Sequence, residues 1–115
     1  MAIALAKSAK NRKVAESLSD EAQVRSGQWL GGDVGEEIDL SMEVLSIAGD
    51  GLVLRCAQRN GTTLNQFRLQ NGKGLNPRGE VEVMVGRPVT IINTLTGARL
   101  KLSKVGDFRL SRTIV

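Results

Sequence analysis

The sequence predicts an all-β fold, a small antiparallel β-barrel or sandwich of about six to seven short strands, with an N-terminal helical arm. Apolar and polar residues alternate strictly over Glu37–Val44, and the pattern recurs at Glu80–Val85; such alternation is typical of half-buried strands. Turn residues then interrupt the chain roughly every 8–12 positions, as in small antiparallel domains. We therefore divide the chain into an arm and helix over residues 1–30 and a β-domain over residues 31–115.

Helical spacing is confined to the first part of the chain. Four apolar residues there fall on one helical face: Val14, Ala15, Leu18 and Ala22. This pattern predicts one helix over about residues 9–26. A break near residues 17–19 followed by a short helix is the alternative, because Ser19-Asp20-Glu21 places a capping residue and two acids where a helix start favours them. Ser26-Gly27 would end either helix.

The β-domain begins with a strand and its turn. Leu45–Ile47 shifts the alternation by one residue, as a β-bulge does, and Ala48–Gly51 predicts the turn that follows. Asn60-Gly61 is the strongest short-range hairpin signal, because both central residues of a type I′ turn need positive φ. We therefore expect the strand Leu52–Ala57 to pair in a hairpin with the strand over residues 63–69.

The second half of the domain holds one long loop and the remaining strands. Residues 71–79 predict the loop, and the next strands are expected at Glu80–Val85 and Val89–Asn93. Two more are expected at residues 99–102 and 108–110. In these last two, four apolar side chains should point into the core: Leu100, Leu102, Phe108 and Leu110.

The charges are sorted by position along the chain. Residues 1–13 hold four basic residues and no acid, residues 14–50 hold nine acids against one arginine, and residues 51–115 hold eleven basic residues against three acids. The net charge is +4. A chain of this kind can pair its own halves, pair head-to-tail with copies of itself, or present a basic face to a polyanion.

The basic block supplies the first candidate site. If the four apolar residues point inward, Arg99, Lys101 and Arg109 point outward, with Lys104 as a candidate fourth. Five arginines are candidates for the same surface: Arg55, Arg68, Arg78, Arg87 and Arg112. Three interpretations remain open, namely a solvated face, a subunit interface that pairs with acids, and a surface for nucleic-acid phosphates.

The acidic block and the arm supply two further candidates. Glu37, Asp39 and Glu43 share one face of the first strand, either as an acidic surface that meets Arg or Lys, or as a general acid/base or hard-cation site. We favour the acidic surface, because the chain has no His and no Tyr to assist catalysis. The basic residues of the arm are expected to contact a neighbouring subunit: Lys7, Lys10, Arg12 and Lys13.

Three smaller features have simpler interpretations. Cys56 lies in phase with apolar residues of its strand, so we expect a buried and unreactive thiol. Gly72-Lys73-Gly74 and Gly49-Asp50-Gly51 are interpreted as turns in preference to anion-binding nests, since neither opens a helix. Trp29 is interpreted as a hydrophobic plug that fastens the helix to the β-domain, in preference to a ligand-stacking platform.

One short segment resembles a known family. Leu45–Leu54, with Ser46 and Gly49, resembles the Ser-x-x-Gly hairpin of PilZ domains, which are barrels that bind a cyclic dinucleotide. The basic residues 10–13 lie upstream, where that family has an arginine motif, but with a different spacing. Val44 stands where the family has an acid. The resemblance implies a cyclic dinucleotide as one candidate polyanion and does not assign the chain to the family.

These observations favour a non-enzymatic role. The single Cys rules out an intramolecular disulfide, and the absence of His removes the commonest general base and metal ligand, so we expect no enzymatic activity, cofactor or metal. No signal peptide or membrane-spanning segment is expected, which predicts a cytoplasmic or virion-associated location. We expect a structural subunit of a phage virion or a bacterial surface or secretion machine, bound to copies of itself and other subunits. The alternative is a module that binds RNA, DNA or a dinucleotide.

Overall fold

The computed structural model describes residues 21–31, 37–59 and 61–115, which form two antiparallel β-sheets that share one core. The all-β prediction is confirmed, and of the two architectures the described residues form stacked sheets without closing into a barrel. The strands are β1 Glu21–Gln23, β2 Trp29–Gly31, β3 Leu40–Ala48, β4 Gly51–Gln58, β5 Phe67–Leu69, β6 Glu80–Met84, β7 Val89–Asn93, β8 Arg99–Val105 and β9 Arg109–Ile114. One 3₁₀ turn, Leu64–Gln66, precedes β5.

Each sheet contains one strand from residues 21–31. The five-stranded sheet has the order β1-β9-β8-β7-β5, and the four-stranded sheet has the order β2-β3-β4-β6. The predicted helix is therefore wrong over residues 21–26, because Glu21–Gln23 pairs with β9 as an edge strand. The rest of that helix, the arm and its basic residues fall on residues 1–20, outside the described residues.

The predicted strand at Glu37–Val44 is confirmed from Leu40 onward, whereas residues 37–39 lie before β3. Ile38, Leu40, Met42 and Val44 are fully buried, as the alternation requires. The register with β4 shifts between Val44 and Ser46, which is the bulge expected from the phase change. The turn at residues 49–50 then leads into β4.

The predicted hairpin at Asn60-Gly61 is wrong. Strand β4 already has β3 on one side and β6 on the other, so no edge is left for the strand that follows. The chain instead crosses to the other sheet, where β5 pairs with β7. Gly61 does adopt a φ of 79°, and the Thr62 amide donates to the Arg59 carbonyl at 3.2 Å, so the chain turns here, but into a different partner strand.

The inner faces of both sheets meet in an aliphatic core. Leu52 and Leu54 from the four-stranded sheet and Leu100 and Leu102 from the five-stranded sheet are completely buried. Leu110 is buried as predicted. The prediction that Phe108 also points into the core is wrong. Phe108 lies in the turn before β9, with a φ of 58° and 45% of its surface exposed.

Candidate binding faces

The outer face of the five-stranded sheet is basic. We call Arg68, Arg99, Lys101 and Arg109 the basic face; all four are exposed and alternate with buried neighbours along β5, β8 and β9. Ile92 of β7 pairs with Arg68 on one side and with Arg99 on the other. Arg68 and Arg99 therefore lie in one row across three strands, with Lys101 two residues further along β8.

This face has few carboxylates. Glu21 lies 3.6 Å from Arg109, and none of the described carboxylates lies within 4 Å of Arg68, Arg99 or Lys101. Residues 61–79 and 83–106, which include β5, β7 and β8, contain no Asp or Glu at all. Within residues 21–31, 37–59 and 61–115, the cations near β5 therefore form a surface of one sign, which attracts anions.

Two predicted members of the basic surface are buried instead. Lys104 is 3% exposed and Arg112 is 2% exposed, because each continues the inward alternation of Leu102 and Leu110. The Lys104 Nζ donates to the carbonyl oxygen of Gly49, in the turn between β3 and β4. It also donates to the carbonyl oxygen of Gly51, at the start of β4, at 3.4 Å. The Phe108 ring covers this ammonium group, with 5.5 Å between Nζ and the ring centroid.

The buried Arg112 lies next to the four-stranded sheet. A Cβ built on Gly31 would lie 2.6 Å from the Arg112 Nη2, so the backbone of β2 and the guanidinium are in close contact. Arg112 also lies near Cys56. Burial raises the pKa of the Cys56 thiol to about 12, and the positive charge of Arg112 opposes part of this rise. The prediction of a buried thiol is confirmed, with Cys56 1% exposed.

The outer face of the four-stranded sheet carries a group of three glutamates. Glu43, Glu80 and Glu82, which we call the acidic face, lie on β3 and β6. Arg55 on the central strand β4 pairs in register with Glu43 and Glu80, and its guanidinium forms a salt bridge with Glu43. With one arginine among three acids, this outer face has the opposite sign from the basic face.

The predicted acidic residues partly have partners in their own chain. Asp39 accepts from Arg59 Nε at 2.8 Å and from the Thr62 hydroxyl at 2.5 Å, and Glu43 is held by Arg55. Glu37 is exposed in a bend before β3. Arg59 was missed by the sequence interpretation, because its partnership with Asp39 depends on the pairing of β3 with β4.

Trp29 does not act as a plug. It lies on β2 in register with Glu43, at the edge of the acidic face, and 51% of its surface is exposed. The interpretation as a hydrophobic plug is therefore wrong: Leu30, the next residue, is the one that turns inward. An exposed tryptophan beside an ion pair is typical of a contact surface.

An open groove lies at the end of the β5–β7 pairing. Its volume is about 470 Å³, and six residues line it: Leu69, Gln70, Asn71, Pro88, Val89 and Thr90. Arg87, predicted as part of the basic strands, lies exposed in the turn beside Pro88. The sequence predicted a loop over residues 71–79 and a strand starting at Val89, and Pro88, which has no N–H, is the residue that ends the ladder here.

The described segments show neither a metal cluster nor a spanning helix. Among them, no three Cys, Asp or Glu side chains come together as metal ligands would. Nor does any helix in these segments have the length and apolar character needed to cross a membrane. Comparisons of the chain with family models, with curated proteins and with solved structures found no match.

Proposed function

We propose that the chain is a non-enzymatic assembly subunit, in which the basic face of one copy stacks on the acidic face of the next. The observation that carries the proposal is the opposite charge of the two outer sheet faces. Arg68, Arg99 and Lys101 lie on one side of the core, whereas Glu80 and Glu82 lie on the other. Complementary potentials of this kind steer and orient association.

The geometry favours a head-to-tail contact. The two faces are different surfaces on opposite sides of the domain, so a contact between them is heterologous and generates a ring or an open fibre. Trp29 adds a large amphipathic side chain at the edge of the acidic face. Such repetition suits a larger particle, and we place the chain in a phage virion or a bacterial surface or secretion machine.

Paired charge reversals test this proposal. Arg99→Glu/Lys101→Glu cancels the positive charge of the basic face, because two arginines then stand against two glutamates, and Glu80→Lys/Glu82→Lys makes the acidic face basic. We expect the wild type to form large species in light scattering at about 0.05 M salt and to dissociate near 1 M. Each double variant should remain at the chain mass of 12.4 kDa, and an equimolar mixture of the two should assemble again.

Two results would contradict the proposal. The first is a wild type that stays monomeric at every salt concentration. The second is a double variant that assembles alone as well as the wild type does, since then the faces are not the contact surfaces. The mixture serves as the folding control, because only folded variants can restore assembly.

Binding of a polyanion such as RNA, DNA or a cyclic dinucleotide is the second candidate function. It is supported by the carboxylate-free segments around β5, β7 and β8, since no described carboxylate lies within 4 Å of Arg68, Arg99 or Lys101. Fluorescence anisotropy with a labelled single-stranded oligonucleotide tests it. Arg99→Glu/Lys101→Glu should abolish binding, whereas Glu80→Lys/Glu82→Lys should leave it intact or strengthen it, with affinity falling steeply in salt.

A further inference from the structure

The groove beside β5 exists because two strands separate. The β5–β7 register ends at the pair Leu69–Ile91, after which the Gly72 amide donates to the Leu69 carbonyl at 2.8 Å and the chain turns away. On the other strand, Pro88 has no N–H with which to continue the ladder. Gln70 and Asn71 therefore stand apart from Pro88 and Val89, with open space between the two strands.

The lining has two kinds of surface. Leu69, Pro88 and Val89 form an apolar wall, while Gln70, Asn71 and Thr90 supply amide and hydroxyl groups. A carboxamide offers both a donor and an acceptor, which is the combination that matches the edge of a nucleobase. A volume of about 470 Å³ is within the usual range for small-molecule sites.

The surroundings of the groove are cationic. Lys101 pairs in register with Thr90, Arg87 directly precedes Pro88, and Lys73 lies two residues after Asn71. The guanidinium of Arg68 lies against this loop, because its Nη1 is 3.5 Å from where a Gly74 Cβ would be. None of the lining residues is acidic. A ligand with a phosphate at the rim therefore complements the charge.

From this juxtaposition we infer that the groove binds a nucleotide, with the base between the apolar wall and the carboxamides and the phosphate at the flanking cations. The groove borders the basic face, because Lys101 and Arg68 flank it, but none of its six lining residues is a member of either charged face. It does not require the chain to self-associate. The same chemistry is presented by a free nucleotide and by the end of a nucleic-acid strand.

An NMR titration of the ¹⁵N-labelled chain tests the inference. The probes are adenosine 5′-monophosphate, adenosine, inorganic phosphate and a short oligoadenylate, each at about 0.15 M salt. We expect the monophosphate to shift the amide signals of residues 69–71 and 89–90 first. If the oligoadenylate binds more tightly than the monophosphate, the ligand of the groove is the end of a nucleic-acid strand. If it binds equally or more weakly, the ligand is a free nucleotide.

Matched variants separate base recognition from charge. Gln70→Ala should weaken binding of the monophosphate about tenfold, because the base loses a carboxamide partner. Arg87→Gln should weaken the monophosphate but not adenosine. Gln23→Ala, the same substitution on the opposite edge strand of this sheet, should change binding less than about twofold.

The inference fails on any of three results. One is an absence of shifts at residues 69–71 and 89–90 up to millimolar monophosphate. Another is an identical pattern with inorganic phosphate alone, which would reveal a simple charge effect. The third is an equal loss of affinity in Gln70→Ala and Gln23→Ala. None of these results is measured by light scattering, so a failure of this inference can be distinguished from a failure of the assembly proposal.

Discussion

Arg99 and Arg112 lie on neighbouring strands of one sheet but on opposite faces. Arg99 is exposed in β8, whereas Arg112 in β9 is 2% exposed and reaches the backbone of Gly31. The sequence contained the signal for this difference: once Leu110 is assigned to the core, the period of two along a strand places Arg112 on the same side. The basic character of the surrounding block obscured that signal.

We predict unequal costs for truncating these two arginines. Arg112→Ala should lower the free energy of unfolding by about 2–4 kcal/mol, because it removes a large buried side chain and leaves a cavity between the sheets. Arg99→Ala should change it by less than about 0.5 kcal/mol. Urea denaturation followed by circular dichroism measures both. Equal effects would show that Arg112 does not pack in the core.

Because the Cys56 thiol is buried, we predict that the folded state loses stability at alkaline pH. Burial raises the pKa of its thiol from 9.0 to about 12, so the folded state retains the proton that the unfolded state releases above pH 9. Stability should therefore be unaffected by this group below pH 9. Between pH 9 and 12 it should fall with a slope of up to about 1.4 kcal/mol per pH unit.

Cys56→Ala isolates this effect. The variant should show a shallower pH dependence of unfolding between pH 9 and 12 than the wild type, measured by urea denaturation at each pH. In the native wild type at neutral pH, the thiol should also resist a disulfide-exchange reagent and react only after unfolding. Rapid native labelling would contradict the buried position.

At the scale of the element, strands that pair locally were predictable, and the two short strands β1 and β2 were not. Alternation and a turn predict the β3–β4 hairpin, and a phase shift in the alternation predicts its bulge. By contrast, β1 and β2 are three residues each, too short for a period of two to be recognised. Their pairing with β9 and β3 is a tertiary effect that outweighs the helical spacing of the preceding residues.

Gly79 shows how closely one loop approaches a strand. It is buried at a φ of 73°, and its carbonyl accepts from the Cys56 amide at 2.6 Å. A Cβ at this position would overlap the Cys56 carbonyl oxygen and lie 3.0 Å from the Leu64 Cδ1. The end of the long loop is thereby fixed to β4, just before β6 begins.

Gly79→Ala and Gly86→Ala form a matched pair of variants. Both glycines have positive φ, so both substitutions should cost about 1–2 kcal/mol of stability in backbone strain. A Cβ at Gly86 meets nothing within 4 Å, whereas one at Gly79 meets backbone. We expect Gly79→Ala to cost about 1–3 kcal/mol more in thermal or urea unfolding. Equal costs would show that β4 moves to accommodate the methyl group.

At the scale of the whole molecule, the charge blocks of the sequence become two faces. The alternation of β8 correctly predicted that Arg99 and Lys101 are exposed, because that strand has one buried side. The grouping of the acids was less predictable. Glu80 and Glu82 fall in the basic half of the sequence but join Glu43, since β4 brings β3 and β6 together. Sequence blocks therefore describe the faces only approximately.

Trp29 provides an intrinsic reporter of stacking, since it is the only tryptophan in the chain. At half exposure, its emission should resemble that of tryptophan in water at high salt. If the acidic face is covered at low salt, the emission should shift to shorter wavelength and quenching by acrylamide should fall. Arg99→Glu/Lys101→Glu, which blocks assembly from the other side, should show neither change. A salt-independent spectrum in the wild type would mean that Trp29 lies outside the contact.

The order of strands in the five-stranded sheet also bears on synthesis of the chain. Strand β1 is made first but is held by β9, the last of the strands described, and β9 in turn needs β8. The nascent chain can close the β3–β4 hairpin early, whereas β1 has no partner until β9 has left the ribosome. Pairing of β1 with β9 is thus a long-range contact, which we expect to form later than the local β3–β4 hairpin.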